Sequence, residues 1–80
     1  MVKDKIVYFL YITEDGSMSS EVVVKETIEA DILPKIGETI VIKRNISMCE
    51  SVVTEIIYTI NEKLQTEIDV YCKQLHCRII

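Results

Sequence analysis

The residues best equipped for chemistry are Cys49, Cys72, Cys77 and the single histidine, His76. A structural zinc site wants four nitrogen or sulfur ligands in a tetrahedron. Cys72, His76 and Cys77 lie close together, and Cys49 would be the fourth ligand. Their spacing, C-x3-H-C, is not that of a paired-ligand knuckle. On an extended strand Cys72 and His76 share a face while Cys77 points away. The simpler reading is small buried hydrophobes plus one surface histidine, so neither a metal nor a cofactor is expected. A thiol nucleophile needs a base within hydrogen-bond reach and a third group to orient that base. His76 and Cys77 are adjacent in sequence, so their side chains diverge. The carboxylates are spread over Glu14, Asp15, Glu26, Glu29, Asp31, Glu50, Glu55, Glu62, Glu67 and Asp69, and no catalytic pair stands out. They read as a solvated acidic surface. No phosphate-binding loop, dinucleotide fingerprint, metallohydrolase helix or calcium loop is present. No enzymatic activity is expected.

The aromatic residues are more informative: Tyr8, Phe9, Tyr11, Tyr58 and Tyr71. Exposed aromatics are frequent binding anchors. Lys5–Thr13 reads as the first strand, with Ile6, Tyr8, Leu10 and Ile12 on one face and Val7, Phe9 and Tyr11 on the other. Both faces are apolar, and a chain of 80 residues has only one interior to fill. Tyr71 points outward if Ile68, Val70 and Cys72 point in. Val7, Phe9, Tyr11 and Tyr71 are therefore the interface candidates. The cheapest cover for such a face is a second copy of the chain, with Phe9 near the centre of the contact.

The totals agree. A hydrophobic fraction of 49% is high for so short a chain, and part of it should meet a partner. The net charge of −4 and the scatter of lysine and arginine disfavour nucleic acid as that partner. No stretch approaches a membrane span in length, and the N-terminal Lys3-Asp4-Lys5 and Ile6–Ile12 lack a signal-peptide pattern. An odd number of cysteines without a framework suggests reduced thiols in the cytoplasm.

The remaining elements follow in order. Glu14-Asp15-Gly16-Ser17 is a turn. Glu21–Ile32 is a second strand, weakened by a bulge or bend over Glu26–Asp31. At Leu33–Glu38 the chain turns a corner, because Pro34 fixes its own φ and Gly37 can take a positive one. Thr39–Lys43 is the third strand. Arg44–Ser51 is an irregular loop or a helix start, with Ser47 and Glu50 spaced as a capping box. Ser51–Ile60 and Thr66–Lys73 form a hairpin closed by Asn61–Gln65. The competing reading makes residues 47–73 a helix, with Cys49, Val53, Ile56, Ile57, Ile60 and Leu64 as its apolar stripe. Leu75–Ile80 is a short last strand or an ordered tail.

Residues 33–73 carry a pattern of Leu33-Pro34, Gly37-Glu38, Ile40-Val41-Ile42, Val52 to Tyr58, and Ile68-Asp69-Val70-Tyr71. This resembles small uncharacterised β-barrel proteins, SH3-like in fold, of bacteria and their phages. The resemblance implies no catalytic residues. It implies an origin in mobile elements and work as a small adaptor or inhibitor. The expected fold is all-β: residues 1–80 as one small SH3-like barrel or bent antiparallel meander of about five strands. The alternative is α+β, with the helix over 47–73. The expected function is non-enzymatic protein–protein contact, as a homo-oligomer, complex subunit or inhibitor. A small barrel that binds nucleic acid is the alternative.

Overall fold

A computed structural model describes residues 5–79. Lys3, Asp4 and Ile80, which entered the sequence reading, lie outside the described residues. The described chain is all-β: β1 (Ile6–Thr13), β2 (Val22–Ala30), β3 (Thr39–Lys43), β4 (Ser47–Ile60) and β5 (Thr66–Ile79). They form one sheet in the order β2-β1-β5-β4-β3. The helix considered over residues 47–73 is absent, because Val, Ile, Thr and Tyr dominate that stretch and lose side-chain freedom in a helix.

The connectivity is not that of a simple meander. β1–β2, β3–β4 and β4–β5 are antiparallel, but β1 and β5 pair in parallel, with Leu10 opposite Val70 and Tyr11 opposite Tyr71. This pairing puts the two strands with the most buried residues at the centre. Tyr8, Leu10, Ile12, Val70 and Cys72 join Val53 of β4 in the core. Ile28 of β2, Ile40 and Ile42 of β3, and Leu33 of the 31–38 connection pack against it. That connection carries the chain from the β2 edge to the β3 edge on the core side.

The corner at Pro34–Gly37 forms as its residue types predict. Gly37 has φ +95°. Its amide donates to the Val53 carbonyl at 2.8 Å, and the Val53 amide donates to Glu38 at 2.9 Å. The sheet curls into a half-barrel. The curl is deep enough for Arg44, just past β3, to reach Glu26 on β2 at the opposite edge, 2.6 Å away. Both partners of this pair are substantially exposed, so it contributes at most about 1 kcal/mol.

Three irregularities sharpen the bend, since bulges add local twist. One lies at Ile12/Thr13 against β2, one at Val53/Glu55 and one at Glu50/Ser51 against β5. The bulge expected over Glu26–Asp31 is not there; β2 runs in regular register from Lys25 to Ala30. Of Arg44–Ser51, only residues 44–46 are loop, and no helix starts there. The Ser47–Glu50 segment is the beginning of β4, entered by a tight turn in which the Arg44 amide donates to the Ser47 carbonyl at 2.8 Å. Leu75–Ile79 is no separate strand. β5 continues through it, with Leu75 as the extra residue opposite the Glu50–Ser51 step.

That extra residue also changes the cysteine geometry. It reverses the alternation after Gln74, so Cys77, not His76, returns to the side shared with Cys49. The two face each other in register with Cα atoms 4.0 Å apart, and they form a disulfide. The expectation of three reduced thiols is thereby corrected. Only Cys72 is free, and it is fully buried. Burial pushes its thiol up to about 11, with a smaller opposing effect from the Ser51 hydroxyl.

Candidate protein interface

Strand alternation gives the sheet a second, outer face. On β1 it carries Val7, Phe9 and Tyr11. The parallel register with β5 sets Asp69 beside Phe9 and Tyr71 beside Tyr11. β4 adds Glu55 next to Tyr71 and Ile57 next to Asp69. β2 adds Glu29 beside Val7 and Lys25 beside Tyr11. The four interface candidates from the sequence therefore meet on one surface, brought together by a pairing that the sequence did not reveal.

They are not equally open. Val7 is 53% exposed, and Phe9 and Tyr11 are half-buried. Tyr71 lies on the outer side, as its neighbours Val70 and Cys72 require, yet it is only 9% exposed. The open Tyr71 expected from alternation is corrected: it stacks on Tyr11 with ring centroids 4.9 Å apart and planes 14° off parallel. Tyr71 acts as a buttress behind the Tyr11 ring, and Tyr11 is the more exposed of the two. The Lys25 ammonium sits 5.6 Å from the Tyr11 centroid, within cation–π range.

One end of this face is capped by the β1–β2 loop. Gly16, with φ +84°, is buried against Thr54 and Lys73. The Thr54 hydroxyl lies 2.5 Å from the Gly16 carbonyl and 3.0 Å from that of Tyr71. The Gly16 amide donates to the buried Thr13 hydroxyl at 2.8 Å. Thr54 is the extra residue of the β4 bulge, so the same irregularity that bends the sheet anchors the loop. The Asp15 carboxylate accepts from the Ser17 amide at 2.8 Å, which holds its pKa below the ordinary value.

The face is rimmed by carboxylates: Glu29 and Glu67 towards the other end, Asp69 beside Phe9 and Glu55 beside Tyr71, none with an ion-pair partner among the described residues. The aromatic hydroxyls register this environment. Burial first, then Asp69 and Glu67, raise the pKa of Tyr11. Burial, Asp69, Tyr11 and Glu55 do the same for Tyr71.

The thiol and imidazole groups do not converge on a reaction centre. Cys49 is bonded to Cys77, and His76 lies 3.5 Å from the Glu50 carboxylate on the strand surface. A hollow of about 420 Å³ beside the bridge is lined by Ser47, Cys77, Arg78 and Ile79. No helix of the described chain is long and apolar enough to cross a membrane. Comparison of the chain with protein families, with curated proteins and with solved structures finds no match to any of the three.

Proposed function

We propose that this chain is a non-enzymatic contact module whose outer face, centred on Phe9 and Tyr11, docks on a cationic surface of a partner protein, as subunit or inhibitor of a larger assembly. One observation carries the reading: an apolar and aromatic stripe of Val7, Phe9, Tyr11 and Ile57 lies opposite the core, with no described element over it. Rigid aromatics on interior strands are suited to anchoring, because little entropy is lost on contact. The carboxylates around the stripe select the partner's charge. They repel phosphate, which supports a protein over the nucleic-acid alternative. They also oppose a second copy on this face, since Glu29, Glu55, Glu67 and Asp69 would meet their own kind. The proposal places the protein in the cytoplasm.

A short labelled peptide of alternating Arg and Leu tests the reading, with its Glu/Leu counterpart as control. Tight binding of the first only is expected, weakened about tenfold in Phe9→Ser and in Glu67→Gln/Asp69→Asn. Glu21→Gln/Glu62→Gln removes the same charge elsewhere and should leave affinity within about twofold, as expected for exposed charges distant from a contact. Equal losses in the two double variants, or no effect of Phe9→Ser, would sink the outer-face assignment.

A further inference from the structure

The lower half of β4 is a third edge of the sheet. β3 pairs with β4 only from Met48 to Val52, and Gly37 and Glu38 extend the contact by one residue, to Val53. From Glu55 to Ile60 the strand bonds to β5 on one side, and no described backbone group pairs with it on the other. Unpaired strand edges are normally blunted by lysine, proline, a bulge or a covering loop. The other two edges are so protected. β2 carries Lys25, Glu26 and Glu29, and β3 is five residues long and runs into Lys43 and Arg44. The β4 segment reads Glu-Ile-Ile-Tyr-Thr-Ile, with one charge at its start. Tyr58 is 59% exposed and Ile60 67%.

A strand edge of this kind selects another strand, and the sequence of the segment indicates which one. In an antiparallel pairing about a two-fold axis through Tyr58, Ile56 falls opposite Ile60, Ile57 opposite Thr59, and Glu55 opposite Asn61. Every cross-strand pair is apolar or neutral–polar except the last, where a carboxylate meets an amide. No like charges meet. The same operation carries the hairpin tip of each copy, with Leu64 84% exposed, towards the step before Gly37 in the other, where Ile36 is 65% exposed.

We infer that the Glu55–Ile60 edge of β4 pairs antiparallel with the same edge of a second copy, joining the two sheets into one. Such a contact is isologous and closes on itself, so it yields a dimer and not a fibre. It leaves Phe9 and Tyr11 free, so the dimer would present two outer faces side by side. The inference is independent of what those faces bind.

Two measurements test it together. Light scattering on the wild-type chain should give a dimer at micromolar concentration. Tyr58→Lys should raise the dimer Kd by about tenfold or more, while Val23→Lys on the β2 edge should not. Opposed residues in an antiparallel pair have Cα atoms roughly 4.5 to 5.5 Å apart, within disulfide reach. Tyr58→Cys should therefore give a covalent dimer on mild copper oxidation, and Val23→Cys should not. Three outcomes would overturn the inference: a wild-type monomer at high micromolar concentration, a dimer indifferent to Tyr58→Lys, or cross-linking at Val23→Cys in place of Tyr58→Cys. None of them bears on the Phe9 surface, whose test reads peptide affinity in the same chain.

Discussion

At the scale of single residues, Cys72 is the group whose environment departs most from water. It has no exposed surface, and its thiol is raised from 9.0 to about 11. The unfolded chain loses that proton near 9.0, whereas the folded chain keeps it until about 11. The stabilising effect is whole below 9.0 and is lost as pH climbs to about 11. Over that window the folded state should lose on the order of 2 to 3 kcal/mol from this one group. Urea midpoints measured across the window should fall more steeply in the wild type than in Cys72→Val. The same burial should make Cys72 inert to thiol reagents until the chain unfolds. After denaturation without reductant, one thiol should titrate, not three, because Cys49 and Cys77 are bonded. Reducing that bond frees the chain between positions 49 and 77 and should lower stability by about 3 to 4 kcal/mol, read as a drop in Tm.

At the scale of elements, the turns and bulges decide where side chains go. The two glycines separate two costs. At Gly37 an added Cβ meets nothing within 4 Å, so Gly37→Ala carries only the backbone penalty of a positive φ, about 1 to 2 kcal/mol. At Gly16 the same atom would sit 2.7 Å from the Thr54 hydroxyl and 3.0 Å from the Lys73 Cβ. Gly16→Ala should cost roughly 1 to 3 kcal/mol more than Gly37→Ala, because overpacking adds to the same strain. Equal losses in thermal unfolding of the two variants would remove the loop as an anchor of the outer face. Much at this scale was legible in the sequence. β3, the Pro34–Gly37 corner and the Asn61–Gln65 closure come from residue types whose φ preferences and local hydrogen bonds act over a few positions. In that closure the Asn61 side chain accepts from the Lys63 and Gln65 amides at 2.9 and 3.1 Å. The bulges at Thr54 and Leu75 were not legible. A bulge changes which residues face in without changing which residues favour a strand. Val53 and Ile56 both pack inward, which strict alternation forbids. The Leu75 bulge also conceals the disulfide, because strict alternation points Cys77 away from the side it shares with Cys49.

At the scale of the whole molecule, the decisive event is the parallel joining of β1 to β5. It unites the β1–β2 and β3–β4–β5 antiparallel units in one sheet, and it depends on contacts far apart in sequence. Composition and period cannot specify it. They did show that β1 has two apolar faces, and the fold uses both: one in the core, one beside Tyr71 on the outer surface. This outer surface is where we propose that another protein docks. A photo-reactive phenylalanine derivative placed at Phe9, in the cells that make the protein, tests it most directly, with the same group at Met18 in the β1–β2 loop as control. Irradiation should join the Phe9 position to one basic protein and leave the Met18 position unjoined. Adducts of equal yield at both positions, or adducts at Phe9 only to a second copy of the chain, would contradict the account.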